Sequence, residues 1–397
     1  MAARSRALGV IGHSRPWPGT ARLTRQYTVT SAAALSERLV SSAGASPPAG
    51  VGPGPRQQLS ACPPRHLSPA RPRHHSTRST ASQNTDLPST EPTIHSVFES
   101  KTSTWQYIVA DPSTGTAAII DAVLDYDPAT QVISTSSADA LLSLIRKEGY
   151  NVSLILETHV HADHLTAASY LQARLAQEQG GDHRPAIGIG EHIGQVQRVF
   201  GEKYGISPHE YRNVFDRLFR DNETFALGSL TATALHLPGH TPDHMGYQIG
   251  NNIFTGDTLF HVDLGTARCD FPFGSAESLY RSGQRLLSLP SHVRIWAGHD
   301  YPPDGPDGRP PVPCTSVGEH RERNKHMTVG VSEQEFVAMR KERDEGLSPP
   351  RLLHPALQIN IRGGRMPDLT DEGLRLIHLP LRLDGVKWDG GEMTEGR

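Results

Sequence analysis

The chain has 397 residues, a formal net charge of -3 and 36% hydrophobic residues. That near-neutral balance gives no footing for a nucleic-acid or anionic-membrane partner, and no apolar run approaches the roughly 18 residues that span a bilayer. Three cysteines, Cys62, Cys269 and Cys314, make no disulfide framework and fit a reducing compartment.

Residues 1–85 carry a single acidic residue, Glu37, against eleven arginines and no lysine. An Arg- and Ser-rich, acid-poor start is the composition of a mitochondrial transit peptide. The stretch at 21–40 can supply the amphipathic helix such addresses use, and 47–78 is too rich in Pro and Gly to pack. We therefore expect 1–91 to be a targeting segment and linker addressed to the mitochondrial matrix, with Cys62 inside it. Residues 92–301 are then the catalytic domain, and 302–397 a C-terminal subdomain and tail.

Order is expected to begin near Ile94, with strands over 94–99, 105–110 and 116–121 and a turn at 111–115. Leucines at 141, 142 and 144 before Gly149 predict a helix over 139–149. The apolar run 152–157 reads as a buried strand. It delivers Thr158-His159-Val160-His161-Ala162-Asp163-His164. In extended backbone, residues two apart share a face, so His159 and His161 point the same way. Asp163 falls where a helix is expected to begin, with Leu165, Ala168, Leu171 and Leu175 at helical spacing and His164 in its first turn. Four ligand-type side chains thus converge on a small volume. Imidazole with carboxylate is a donor set for a borderline divalent metal. That helix should end near Gln179, and 187–189 reads as a strand. Residues 191–222 show weak periodicity and receive no assignment.

A strand over 230–237 runs into Gly239-His240. Strands over 247–249 and 252–255 form a hairpin landing on Gly256-Asp257. A helix over 277–287 and a strand over 293–297 lead to Gly298-His299-Asp300-Tyr301. Each time an apolar strand ends, a glycine follows and a His or Asp is presented, the arrangement in which loops carry chemistry on a rigid scaffold. His240, Asp257 and His299 therefore extend the first cluster. His236 is expected to be an ordinary strand residue, and His244 to stand behind the ligands. Beyond Tyr301, 302–313 is a Pro- and Gly-rich loop, Ser332-x-x-Glu335 is a capping box opening a helix over 333–345, and 357–361 reads as a strand. From Gly385 the chain is expected to fray.

In their order over 158–301, His159-x-His161-x-Asp163-His164, Gly239-His240, Gly256-Asp257 and Gly298-His299 resemble the metallo-β-lactamase superfamily. The resemblance implies an α+β fold, an αββα sandwich of two sheets between helices with its metal site at one edge, here with a small C-terminal extension. Within that superfamily, Gly265-Thr266-Ala267-Arg268-Cys269-Asp270-Phe271, the Gly298-His299-Asp300-Tyr301 ending and Leu279-Tyr280-Arg281-Ser282 are similar to the persulfide dioxygenases. Glu333-x-Glu335-Phe336-Val337 and Pro355-x-Leu357-Gln358-x-Asn360 are similar to their longer, bacterial-type members.

This likeness implies one Fe(II) per chain held by His159, His240 and Asp257, the two-imidazole, one-carboxylate face of a non-haem oxygenase. His161, Asp163, His164 and His299 would stand behind it, where hydrolase relatives complete a second metal site. The implied reaction takes glutathione persulfide, O2 and water to sulfite and glutathione, as in sulfide detoxification. Arg268 is the candidate for a glutathione carboxylate through its planar fork, with a surface salt bridge as the alternative. Tyr301 is a candidate hydrogen-bond donor to substrate or ligand, and Cys269 is expected to pack. Arg351, Arg362 and Arg365 offer positive charge to an anionic tripeptide. Several family members carry a cysteine two places before the arginine, where this chain has Thr266.

The rival expectation is a glyoxalase II-type hydroxyacylglutathione hydrolase with a zinc or mixed two-metal site, in which His164 and His299 are ligands. Its glutathione-binding tail is helical, so the strand expected at 357–361 speaks for the dioxygenase. A non-catalytic, metal-stabilised binding protein is the third reading, and the full ligand set speaks against it. A homodimer is left open as the assembly.

Overall fold

A computed structural model describes residues 91–180, 183–303 and 308–381. Except for Glu91, the targeting segment expected over 1–91 lies outside the described residues, as does the tail from Gly385. Among the described residues no helix is long and apolar enough to cross a membrane.

The chain opens with β1 (Thr93–Glu99), β2 (Thr104–Ala110) and β3 (Thr116–Ile120), paired antiparallel in turn. β4 (Val123–Asp127) and β5 (Val132–Ser134) form a small hairpin. α1 (Ser136–Glu148) then carries the chain to β6 (Asn151–Leu156), which lies parallel to β3. The two-residue β7 (Leu165–Thr166) pairs with β4 before α2 (Ala168–Glu178). β8 (Ala186–Gly190), α3 (Ile193–Tyr204), α4 (Pro208–Tyr211) and β9 (Arg217–Phe219) complete the first sheet, ordered β1-β2-β3-β6-β8-β9.

β10 (Thr224–Leu227), β11 (Leu230–His236), β12 (Met245–Ile249) and β13 (Asn252–Gly256) form an antiparallel meander. α5 (Ala276–Leu287) crosses over so that β14 (Arg294–Ala297) lies parallel to β13, and β15 (Cys314–Ser316) closes this second six-stranded sheet. Three helices follow: α6 (Val317–Arg323), α7 (Glu333–Glu345) and α8 (Leu353–Asn360).

Alternation along β2 and β3 explains the layering, because successive side chains leave opposite faces of a strand. Ile108, Ala110, Ala117 and Ile119 pack outward against Leu141, Leu142 and Leu171 of α1 and α2. Tyr107, Val109, Ala118 and Ile120 face inward against Tyr247, Phe254 and Trp296 of the second sheet. On the far side Leu279, Leu286 and Phe336 cover Ile253 and Ile295. Each fully buried aliphatic side chain stabilises this sandwich by about 1.5–3 kcal/mol relative to exposure. The result is the expected α+β, αββα sandwich.

Two local expectations change, and one unassigned stretch gains its elements. The segment at Asp163 and His164 is loop, and the helix begins only at Ala168. Leu165 and Thr166 are instead recruited by β4, and the Thr166 hydroxyl accepts from the Ala168 amide. Tertiary pairing overrides local periodicity here. The strand expected over 357–361 is the helix α8. Pro355 lies in its first turn, where no amide donor is required, and burial all round the helix removes the polar stripe that would betray its period. Residues 191–222, left unassigned, hold α3, α4 and β9, with Ile193, Val196, Phe200 and Tyr204 buried at helical spacing.

Candidate metal centre

Four strand ends meet at one edge of the sandwich. β6 delivers the Thr158–His164 motif, β11 leads to His240, β13 to Asp257 and β14 to His299. The motif is stitched to both sheets. Asp121, at the end of β3, accepts from the Thr158 amide at 2.7 Å and from its hydroxyl at 2.8 Å. From the second sheet, the Met245 amide donates to the Thr158 carbonyl at 2.7 Å and the Tyr247 hydroxyl to the Glu157 carbonyl at 2.9 Å. The glycines preceding the acidic and basic side chains are steric necessities. A Cβ at Gly256, whose φ is +47°, would lie 2.3 Å from Thr158 Oγ1, and one at Gly298 would lie 2.5 Å from Asp257 Oδ1.

His159, His240 and Asp257 each offer a ligand atom within 4.8 Å of the others. The two rings meet edge-on, 5.0 Å apart at 87°. Their tautomers follow from their neighbours. The single proton of the Thr158 hydroxyl goes to Asp121, so that oxygen accepts from His159 Nδ1 at 3.0 Å. His240 Nδ1 donates to the Arg268 carbonyl at 2.7 Å. Both Nε2 atoms therefore carry a lone pair, as metal-binding imidazoles do when a second group fixes Nδ1. Burial, reinforced by the neighbouring His161, holds His159 well below its ordinary pKa, in its neutral form. His159 Nε2 and Asp257 Oδ1 are buried without a hydrogen-bond partner. Such atoms are costly unless something satisfies them, and a divalent cation bound between them would do so. The Asp257 amide donates to His244 Nε2 at 3.0 Å, so His244 stands behind this group as expected.

His161, Asp163 and His164 form a second group of the same kind, and Asp121, Glu157 and His161 a third. His161 Nε2 lies 3.2 Å from the carboxylates of both Asp121 and Glu157. Burial alone would lower its pKa, but these carboxylates hold it well above the ordinary value. His299 belongs to none of the three groups. Its Nε2 lies 2.9 Å from Asp163 and 3.5 Å from Asp257. Against the cost of burial these two carboxylates raise it to about 9.

Two cavities of about 440 and 500 Å³ meet at this edge and share Ala162, His240, Arg268 and Pro350. The first is lined by Phe200, Phe271 and prolines; the second reaches Asp257, Tyr301, Arg343 and Arg351. Tyr301 is half-exposed and stacks on His299, with ring centroids 5.7 Å apart. Arg268 borders both cavities, but Nε and Nη2 donate to Asp270 and Nη1 to the Ser348 carbonyl. Of the three distal arginines, Arg351 lines the second cavity while Arg365 lines neither. Arg362 is buried and paired with Glu210 at 2.7 Å, which removes it from the candidates for substrate contact. Cys269 is buried, and burial pushes its thiol up to about 12.

Sequence reasoning missed Asp121, Glu157 and Asn360. Asp121 ends an apolar strand just as the other acidic residue does, so the same pattern could have found it. Asn360 stood in the tail motif similar to the longer family members, but nothing local tied it to the site. Its side-chain amide donates to the His161 and His164 carbonyls at 2.8 Å each, and its oxygen accepts from the Thr166 amide. A residue nearly two hundred positions away thus holds the motif loop.

The family model described as the metallo-beta-lactamase superfamily matches residues 101–299. A probable metallo-hydrolase of Burkholderia pseudomallei is 43% identical over 302 residues, covering 73% of this chain and 99% of that protein. A glyoxylase B2 of Dictyostelium discoideum is 42% identical, covering 71% and 94%. The mitochondrial persulfide dioxygenase ETHE1 of Bos taurus is 26% identical over 68% of this chain and 88% of its own length. Among solved structures, ETHE1 from Myxococcus xanthus matches with a TM-score of 0.54 and 27% identity, covering 69% of this chain and all of that one, 100%. The sandwich, its strand-end histidines and these matches agree: the chain belongs to the metallo-beta-lactamase superfamily, with persulfide dioxygenases among its relatives.

Proposed function

We propose that this protein is a persulfide dioxygenase that holds one Fe(II) through His159, His240 and Asp257 and takes glutathione persulfide, O2 and water to sulfite and glutathione. One observation carries the reading: two imidazoles and one carboxylate from three strand ends form a tight group, while His299 is engaged by Asp163 and joins no such group. Iron held by these three residues would supply the redox chemistry that joins O2 to the persulfide sulfur. The chain's own groups do the rest. The Arg268 carbonyl and Thr158 hydroxyl keep the two imidazoles in the metal-binding tautomer. Phe260 and Leu264 line the approach to Asp257 with apolar surface, which limits water around the reacting sulfur. Arg343 and Arg351 line the same cavity, and among the described residues no side chain hydrogen-bonds to either guanidinium, so both can meet the tripeptide's carboxylates. A substrate carboxylate reaches the fork of Arg268 only by displacing Asp270. In this reading residues 1–91 carry a mitochondrial-matrix address, and a reporter fused to them enters mitochondria; cytosolic spread would remove that part.

A second reading is a two-metal thioester hydrolase of the glyoxalase II type. It is favoured by the His161–Asp163–His164 group, by the helix found where a tail strand was expected, and by the likeness to a glyoxylase B2. Oxygen uptake with metal analysis separates the two. The dioxygenase reading expects one iron per chain, with O2 consumed and sulfite released when glutathione persulfide is added. Two metals per chain, hydrolysis of S-lactoylglutathione and no oxygen uptake would establish the hydrolase instead.

A further inference from the structure

His240 is oriented by a single backbone acceptor, the Arg268 carbonyl. The segment carrying that carbonyl, 265–269, belongs to no named strand and touches Leu259 through one isolated bridge at Thr266. Gly265 is tied to Phe260, His261 and Asn324, and beyond it the backbone is held chiefly from α7. Arg340 Nη1 donates to the Thr266 carbonyl at 3.1 Å, and Asp344 Oδ2 accepts from the Cys269 amide at 2.8 Å. Arg340 Nε and Nη2 also donate to Asp344 Oδ1, at 3.1 and 2.8 Å. From a third side, the Thr266 amide donates to His326 Nδ1 at 3.0 Å. Arg268 lies between two residues anchored in this way, so its carbonyl cannot shift without breaking one of those bonds.

We propose that the Arg340–Asp344 pair is a positioning device for the metal centre: by clamping the backbone on both sides of Arg268 it aims His240, and so sets metal affinity and ligand geometry from α7. The inference rests on His240 being a ligand, and it requires neither iron nor the dioxygenase reaction. Stability alone explains the pair poorly. Burying two charges costs desolvation that their attraction often fails to recover, and an apolar pair of similar volume commonly does as well. Here all three guanidinium nitrogens and both carboxylate oxygens are occupied, and two of the contacts converge on one short loop.

The test titrates the metal-free, full-length protein with Co(II), reading the dissociation constant and the ligand-field absorption bands. Groups that orient metal ligands typically change metal affinity by about 10- to 100-fold. Asp344→Ala should weaken Co(II) binding about tenfold and shift the bands, a loss at the lower end of that range. Asp344→Asn keeps an acceptor for the Cys269 amide but turns its NH2 toward the Arg340 donors, so it should recover only part of both. Asp216→Asn is the control. It disturbs a carboxylate that ties Arg184, Gln172 and the Ile187 amide and shares no hydrogen bond with this loop, so it should lower the melting temperature and leave Co(II) affinity and bands unchanged. Wild-type affinity and bands in Asp344→Ala would overturn the proposal, as would a loss of affinity in Asp216→Asn that tracks its loss of stability. Should Asp344→Ala not fold, Arg340→Lys, which keeps the charge and loses the fork, is read in the same titration, and wild-type behaviour there overturns the proposal equally. Weakened Co(II) binding in Asp344→Ala, together with no oxygen uptake by the iron-loaded wild type, would sink the dioxygenase reading and leave this one standing.

Discussion

The sandwich and the helices that follow it contribute to the centre in opposite ways. From the sandwich come the side chains that converge there: His159, His240, Asp257 and His299 lie one to four residues beyond the end of a strand, each preceded by a glycine or a threonine. From α7 and α8 comes no member of the His159, His240 and Asp257 group, yet Asn360 and the Arg340–Asp344 pair tie down the two loops on which His161, His164 and His240 depend. Metal-binding chemistry is supplied locally, and its aim is supplied from a distance. If that division holds, removing a ligand should do more than removing a brace, and removing a cavity cation should leave the metal alone.

Asp257→Ala should have the largest effect. It removes the only anionic member of the group, so metal content of the purified protein should fall about tenfold or more, since charge and facial geometry go together. Elemental analysis reads this directly, and full occupancy in the variant would place the centre elsewhere. His299→Ala sharpens the count: one retained iron fits the dioxygenase reading, whereas loss of one metal of two fits the hydrolase.

Next comes Asn360→Ala. Two carbonyls and one amide in the motif loop lose their partner, and an unsatisfied buried polar group costs about 1–3 kcal/mol. The expected loss of stability is on the order of 3 kcal/mol, with metal content reduced less than in Asp257→Ala. Asn360→Asp should do no better, because a carboxylate cannot donate to two carbonyls. Chemical denaturation is the measurement, and an unchanged midpoint in the alanine variant would mean that the loop holds itself.

Arg343→Gln and Arg351→Gln should each lower kcat/KM for glutathione persulfide about tenfold, the equivalent of one charge-assisted contact near 1.4 kcal/mol, through KM and with metal content intact. Wild-type values in both variants would move the tripeptide site to Arg268 and the aromatic cavity.

The effect smallest at the centre itself is a pH dependence of the C-terminal part. Burial holds His320 and His326 down to about 4, against an ordinary value of 6.5. Between those values the unfolded chain binds the proton and the folded chain does not. Stability is therefore flat above 6.5 on this account and falls as pH drops toward 4, by about 1.4 kcal/mol per unit for each fully coupled histidine. Urea midpoints at pH 7 and pH 5 should differ more for the wild type than for His320→Asn. Equal differences would show that His320 is already free to protonate in the folded state.

Much of this was legible in the chain itself. Strand alternation and the recurrence of strand, glycine and ligand were enough to foresee that the Thr158–His164 motif, His240, Asp257 and His299 gather at one edge, because imidazole chemistry and the two-residue period of a strand are written within a few positions; the choice of His159, His240 and Asp257 among them came with the family resemblance. The same reasoning failed at 357–361, where burial all round a helix leaves no polar stripe, and at Asp163, where pairing with β4 delays the helix to Ala168. It could not see that the Arg268 fork is spent on Asp270, that Arg362 is spent on Glu210, or that Asn360 holds the motif loop. By itself, then, the sequence determined the layers of the sandwich and the residue types gathered at its edge. Only the tertiary structure decided which cations are free, which carbonyl aims His240 and what braces each loop. Those outcomes depend on single contacts between residues that lie far apart along the chain, and no local period records them.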